Sequence, residues 1–217
     1  MYYYNTFNRS APVHFDSEHP LYKENLDLWL KCRDCYKGEE EVKKRNQKYL
    51  PFLSLQESSE YYNYKNRAIF LNVMRRTIHG LVGAALRKTP IIKVPSKMED
   101  YINNMDMHGT SFRELLQKLL TEILITGRVV LVVDRDENSR CYSSCYSAES
   151  LINWRFERNF PIMSVFSEEV DVSSDGFEHE LTNQYRVYDF DDNGNLRIRV
   201  AMNKLPDEND ELNEDSD

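Results

Sequence analysis

The sequence predicts an α+β protein in which N-terminal helices precede a mostly antiparallel, β-rich part. Three observations carry this. Apolar residues recur at gaps of three and four up to Thr126, β-branched and alternating runs dominate after it, and Asn193-Gly194 between two such runs is a hairpin signal. Taken in order, residues 21–48 read as helical, with Leu26, Trp29, Leu30 and Cys32 or Arg33 near helical spacing. Asp16-Ser17 and Pro20 supply a start, and Gly38 is the main breaker. Ser54-x-x-Glu57 reads as a capping box opening a helix over 57–87, with a stripe of Tyr61, Tyr64, Ala68, Leu71, Met74, Ile78, Val82 and Ala85. Gly80 and Gly83 inside it weaken the helix by up to about 1 kcal/mol each, which points to close packing against a neighbour.

Pro90 ends that helix, 91–94 reads as a short strand, and 97–105 as a short helix. Ser111-x-x-Glu114 is a second capping box, opening a helix to Thr126 that Gly127 stops. Its Leu115, Leu116, Leu119, Leu120, Ile123 and Leu124 form a wide stripe. Leu116, Leu120, Ile123 and Leu124 are expected to be buried against a fully buried strand at 129–133, with 140–146 pairing to it. Strands are then expected at 152–156, 161–166, 184–190 and 196–202. The division this suggests is an N-terminal arm (1–20), a helical α+β region (21–155), a β-rich hairpin region (156–204) and an acidic tail (205–217) expected to be solvated and disordered.

Composition narrows the function classes. With 41% hydrophobic and 29% charged residues, the 217-residue chain has a globular composition. No apolar run reaches the roughly 18 residues of a membrane helix, so no membrane partner is expected. MYYYNTFNRSAPVHF lacks the layout of a secretory signal, and four cysteines fit a reduced, intracellular history better than a disulfide framework. The net charge of −8 conceals an asymmetry. Residues 43–97 hold twelve Lys and Arg against two Asp and Glu, and residues 162–217 hold four against sixteen. A basic face meeting an anionic partner follows, either DNA contacted without base reading or an acidic neighbouring subunit.

No catalytic constellation can be assembled. The five histidines, His14, His19, His79, His108 and His179, are scattered, no nucleophile–base pair emerges, and an enzyme is not expected. GLVG (80–83) and HGTS (108–111) lack the glycine-rich loop with a lysine that cradles phosphates, so no nucleotide cofactor is expected. Cys32-x-x-Cys35 with Cys141-x-x-x-Cys145 would offer four thiolates, but the first pair sits in a helical pattern; semi-buried packing is preferred to zinc. Asp189-Phe190-Asp191-Asp192-Asn193-Gly194 copies the opening of a calcium loop, yet Arg197 and Val200 occupy positions nine and twelve. A hairpin turn is preferred, and no metal site is expected.

A series of motifs remains: YLPFL (49–53), YNYKNRAIF (62–70), TIHGLVGAALRKTP (77–90), HGTSFRELLQKLLTEILITGRVVLVVD (108–134) and YSAESLINWR (146–155). In content and order it resembles the portal proteins of tailed bacteriophages, in a branch marked by Leu-Val-Gly, Gly-Thr-Ser, "GR…LLVD" and "AESIINW" elements. The segment CYSSCYSAES departs from the proline-containing strand of that pattern. The resemblance implies a portal wing-like fold and a subunit of a homo-oligomeric ring, usually a dodecamer, at one capsid vertex. Double-stranded DNA passes through such a ring, which sits in the major capsid protein shell and docks the terminase and then neck and tail adaptor proteins. It also implies a virion location at the portal vertex, host cytoplasm during assembly, and no catalytic site. Family members are longer, with stem, clip and crown downstream; the chain corresponds to the N-terminal wing, as a fragment, a split-gene product or a shortened relative. The expected DNA or subunit contacts are Arg75, Arg76, Arg87 and Lys88. Two alternatives stand beside it: another neck or capsid-associated structural protein, or a non-sequence-specific nucleic-acid-binding protein.

Overall fold

The computed structural model describes residues 14–202 except 137, 174–176 and 192. The predicted acidic tail, most of the N-terminal arm and Asp192 of the calcium-like run lie outside the described residues. The fold is α+β, with helices first and antiparallel sheets after. Residues 23–149 form one compact unit; the described residues before 23 and from 150 onward form another.

The helical unit begins in α1 (Pro20–Lys37), whose Pro20 takes the first helical position, where a missing N–H costs nothing. The cap is His19, not Asp16 or Ser17: its Nδ1 accepts from the Leu21 N–H (3.1 Å). Gly38, at φ 109°, stops α1, and the predicted single stretch continues as α2 (Glu39–Lys44) and a 3-10 turn (Asn46–Lys48). A Cβ at Gly38 would sit 2.9 Å from the Asn72 amide nitrogen, so both backbone angle and space require glycine. Asp34, 3% exposed, braces this corner by accepting from Arg45 Nε (2.8 Å) and the Tyr49 hydroxyl (2.8 Å). Burial raises its pKa, but these two donors outweigh burial and hold the carboxyl below the ordinary aspartate range.

The predicted helix over 57–87 is two helices, α3 (Ser58–Arg67) and α4 (Val73–Ala85). Ala68 turns extended (ψ 130°), and Asn72 caps α4 by accepting from the Arg75 N–H (2.9 Å). A local cap therefore wins over a continuous stripe, and Leu71 ends 80% exposed. The capping box before α3 is shifted by three residues: the Glu60 side chain accepts from the Glu57 N–H (3.1 Å). Residues 91–94 form no strand; prolines at 90 and 95 leave four residues between two missing N–H donors, and Ile91 is 91% exposed.

A 3-10 turn (Ser96–Met98) and α5 (Glu99–Asn103) lead to the His108–Ser111 turn, where Asp106 accepts from the His108 and Thr110 N–H groups (2.9 and 3.1 Å). The Thr110 hydroxyl and these amides pull the Asp106 pKa down to about 2. Next, α6 (Phe112–Thr126) has the predicted Ser111/Glu114 capping box and the predicted Gly127 stop, at φ 77°. Its buried face is shifted from the expected one. Leu115 and Ile125 are buried, Leu116 and Leu120 half-buried, and Ile123 and Leu124 are 44% and 39% exposed. Ile78, Val82, Leu86 and Ile125 form the core between α4 and α6, with Cys32 and Tyr36 of α1 packed on it.

Strands β1 (Val129–Arg135) and β2 (Cys141–Ser147) pair antiparallel, as expected, but as a two-stranded ribbon. With no third strand or second layer to bury both faces, Leu131 and Val133 remain 42% and 58% exposed, so β1 is not the fully buried strand expected. Ser143 of β2 anchors the ribbon: its N–H donates to the Met105 carbonyl (2.6 Å), and its hydroxyl pairs with that of Tyr101 (2.6 Å).

In the other unit, β3 (Leu151–Glu157), β4 (Phe160–Asp171), β5 (Leu181–Phe190) and β6 (Leu196–Met202) form an antiparallel meander in chain order. Phe166 and Val187, each 1% exposed, are its deepest side chains. Residues 14–22 lie against it: the His19 N–H donates to the Ile152 carbonyl (2.9 Å), and the His19 ring stacks on Trp154. The expected hairpin joins β5 to β6. Asp191 accepts from the N–H groups of Asn193 and Asn195 (both 2.8 Å), while Asp189 ion-pairs with Arg197 and Arg199 (both 2.6 Å). In the calcium-like run, these two carboxylates thus serve the turn and the sheet.

Replacing Ile125 with alanine is expected to cost about 2–5 kcal/mol, because a core methylene cluster is emptied. Ile123→Ala, on the exposed side, is expected to stay within about 1 kcal/mol. Urea unfolding of both variants checks the face; equal losses would show that the core is placed wrongly.

Candidate nucleic-acid or subunit interface

The four basic residues singled out in the sequence are all exposed, but they differ in their partners. Arg75 donates from Nε to the Tyr36 carbonyl (2.9 Å) and from an Nη to the Lys37 carbonyl (2.7 Å), with its guanidinium 5.3 Å from the Tyr36 ring centre. A cation on the last carbonyls of α1 offsets the negative end of that helix, so Arg75 is a structural clamp. At 100° per residue, Arg76, Gly80 and Gly83 fall on one face of α4, and Arg87 follows two residues past its end. A Cβ at either glycine would meet nothing within 4 Å. The neighbour expected to press on them is not part of this chain's described residues, and that face of α4 is open.

The charge of the basic segment is also unevenly committed. Lys43 pairs with Glu39 (2.6 Å), Lys44 with Glu41 (2.6 Å), Arg45 with Asp34 (2.8 Å) and Lys48 with Asp27 (2.9 Å), all to acids just upstream. Lys65 donates to the Asn46 side chain (2.7 Å) and Arg67 to the Asn63 carbonyl (3.3 Å). The cations with no such partner are Arg76 near the start of α4 and, beyond its end, Arg87, Lys88, Lys93 and Lys97.

Beside them lies a groove of about 400 Å³ between α4 and α6, lined by Val82, Gly83 and Leu86. Arg87 and Arg113, the latter from the first turn of α6, also line it. Arg113 is fixed by donating to the Thr89 hydroxyl (3.0 Å) and the Leu86 carbonyl (3.2 Å). Charge counting over 43–97 missed Arg113, which lies outside that window; only the α4–α6 packing brings it to Arg87. A second cavity, also about 400 Å³, is rimmed by Lys31, Lys43 and Lys48.

The motif residues meet elsewhere in the same unit. Arg33 of α1 donates to both carboxylate oxygens of Glu149 (2.7 and 2.9 Å) and of Glu122 in α6 (3.3 and 2.8 Å). Arg128, after Gly127, donates to the Ala148 carbonyl (3.3 Å), with its guanidinium 4.7 Å from the Trp29 ring centre. Glu122 and Arg128 belong to the fourth motif, Ala148 and Glu149 to the fifth. Burial raises the Glu149 pKa, but the Arg33 hydrogen bonds outweigh it and hold the carboxyl below the ordinary glutamate range.

Cys32 and Cys35 lie on α1, and Cys141 and Cys145 on β2; all four are free thiols. Burial pushes the Cys35 and Cys145 thiols up. Among the described residues no three His, Cys, Asp or Glu side chains converge as a metal-ligand group, and no helix is long and apolar enough to cross a membrane. Comparison with models of known protein families finds no match, and neither does comparison with curated proteins.

The Arg33 fork yields a pH-dependent expectation. A carboxyl whose folded pKa lies below its unfolded value contributes stability that is complete above about pH 4.5 and lost as pH falls through the native value. Arg33→Met is expected to cost about 1–3 kcal/mol near neutral pH, less than for a fully buried pair because the partners are about one-fifth exposed. The gap to the parent should narrow between neutral pH and a pH below the native pKa of Glu149, where that carboxylate has taken up its proton. Urea midpoints at the two pH values measure it; a gap that stays constant would remove Glu149 as the ionised partner.

Proposed function

We propose that this chain is a structural subunit of a bacteriophage portal ring, corresponding to the N-terminal wing of that family. The ordered motif series from 49 to 155 carries the reading. The way its members engage supports it: Glu122 of the fourth motif and Glu149 of the fifth are joined through Arg33, which lies outside the series, and Arg128 of the fourth donates to the Ala148 carbonyl of the fifth. Ring subunits of this kind are positioned by packing and need no catalytic group. The terminase, capsid protein and neck or tail adaptors are the proposed protein partners, and DNA is contacted without base reading.

Charge supports a heterologous contact around a ring. The basic excess lies within 43–97 and the acidic excess within 162–217. Opposite signs on two segments of one chain suit head-to-tail association, which closes when the rotation between subunits divides a full turn. Exposed contacts of that kind are screened beyond about 8–10 Å at physiological ionic strength.

Cryo-imaging of the intact particle is the test. The expected result is density for this chain in a closed ring at a single capsid vertex. Finding it in the capsid lattice or tail fibres, with no copy in that ring, would overturn the assignment.

A further inference from the structure

We infer that the groove between α4 and α6 is a binding site for a phosphate group, presented either by a nucleic-acid backbone or by a free phosphate compound. Arg87, just after α4, and Arg113, on α6, both line the groove, and its lining includes no Asp or Glu, although the chain carries 36 of them. Two guanidiniums facing a cleft without a counter-ion repel each other, and an oxyanion between them relieves that cost. Arg113 commits two N–H groups to the Thr89 hydroxyl and the Leu86 carbonyl, which fixes its plane and leaves others for a ligand. The Gln117 side chain adds an amide to the same lining. Tyr36 and His79 share a hydrogen bond (2.9 Å) and also line the groove.

Phosphate fits better than carboxylate on geometric grounds. A carboxylate matches a single guanidinium fork, as Glu122 does that of Arg33 (3.3 and 2.8 Å). Donors arriving from α4, α6 and the segment after α4 suit a tetrahedral group with oxygens in several directions. Gly83 keeps the way in open: a Cβ there would meet nothing within 4 Å. The site belongs to the helical unit alone and does not rest on ring formation, so either proposal can fail without the other.

The test uses the full chain with pyrophosphate, by calorimetry at constant ionic strength, and with a fluorescein-labelled DNA duplex, by anisotropy across a salt series. Saturable pyrophosphate binding is expected, weakened at least about tenfold by Arg87→Gln and by Gly83→Leu, and unchanged by Lys97→Gln outside the groove. Gly83→Leu is the sharper variant, because it fills the groove at unchanged charge and at a position where a side chain favours the helix. Arg87→Gln keeps the test open if the plugged variant folds poorly. A parallel loss of duplex affinity, with the salt slope falling by about one in Arg87→Gln, identifies a nucleic-acid backbone as the source. Unchanged duplex binding beside lost pyrophosphate binding identifies a free phosphate compound. The proposal is overturned if neither probe binds saturably, if folded Gly83→Leu binds as the parent does, or if a synthetic peptide of residues 205–217 displaces pyrophosphate at lower concentration than phosphate itself.

Discussion

The helical unit depends on one half-buried cation. Arg33 projects from α1 and reaches two glutamates, one on α6 and one just after β2, so a single guanidinium fixes three segments that are far apart in sequence. Its fork leaves little angular freedom, because each carboxylate accepts two N–H groups. Such an arrangement is not favoured for raw stability, since desolvating three charges costs much of what their attraction returns. Its effect is on uniqueness. The apolar contacts among Ile78, Val82, Leu86 and Ile125 tolerate sliding, whereas a helix displaced by one turn would leave a charge in the interior without a partner.

What the sequence made legible was whatever is decided within a few residues. The α6 start needs only Ser111 and Glu114, its stop needs only Gly127, and the β5–β6 hairpin needs Asn193-Gly194 between alternating runs. The hairpin signal accounts for the β5–β6 pair, and the order of the other strands was not legible from it. Failures fell where a local choice competed with a distant one. The stripe from Tyr61 to Ala85 was continuous by spacing, yet the Asn72 amide bonds the Tyr36 carbonyl of α1 (2.9 Å) while capping α4, and that link breaks the helix. The rotation of α6 that buries Ile125 rather than Ile123 or Leu124 depends equally on partners elsewhere in the chain.

The candidate surface shows the same division. A charge run identified Arg76, Arg87 and Lys88 as outward cations, because exposure of a charged side chain is the default for an isolated group. It gave no means of separating Arg75, which caps a helix 38 residues upstream, from its neighbour Arg76. Nor could it recruit Arg113. Helical arithmetic applied after the break at Asn72 does better: it puts Arg76 on the face of Gly80 and Gly83, and Arg75 on another. Once the N-cap is known, that much is readable.

Counting charge over a window also overstates the field a partner meets. Four of the twelve cations in 43–97 are paired with acids at 27, 34, 39 and 41, which fall outside the window and were never weighed against them. Arg75 is turned onto helix carbonyls. The remaining cations concentrate where α4 ends, and there the neighbouring groove contributes no acid to its lining. Screening acts on each exposed charge separately, so a dispersed excess fades with salt more readily than cations gathered around one cleft with low-dielectric walls. A polyanion would therefore meet a localised site at the α4–α6 groove rather than a uniformly basic helix, and it is this localisation, more than the net excess, that gives the surface a direction.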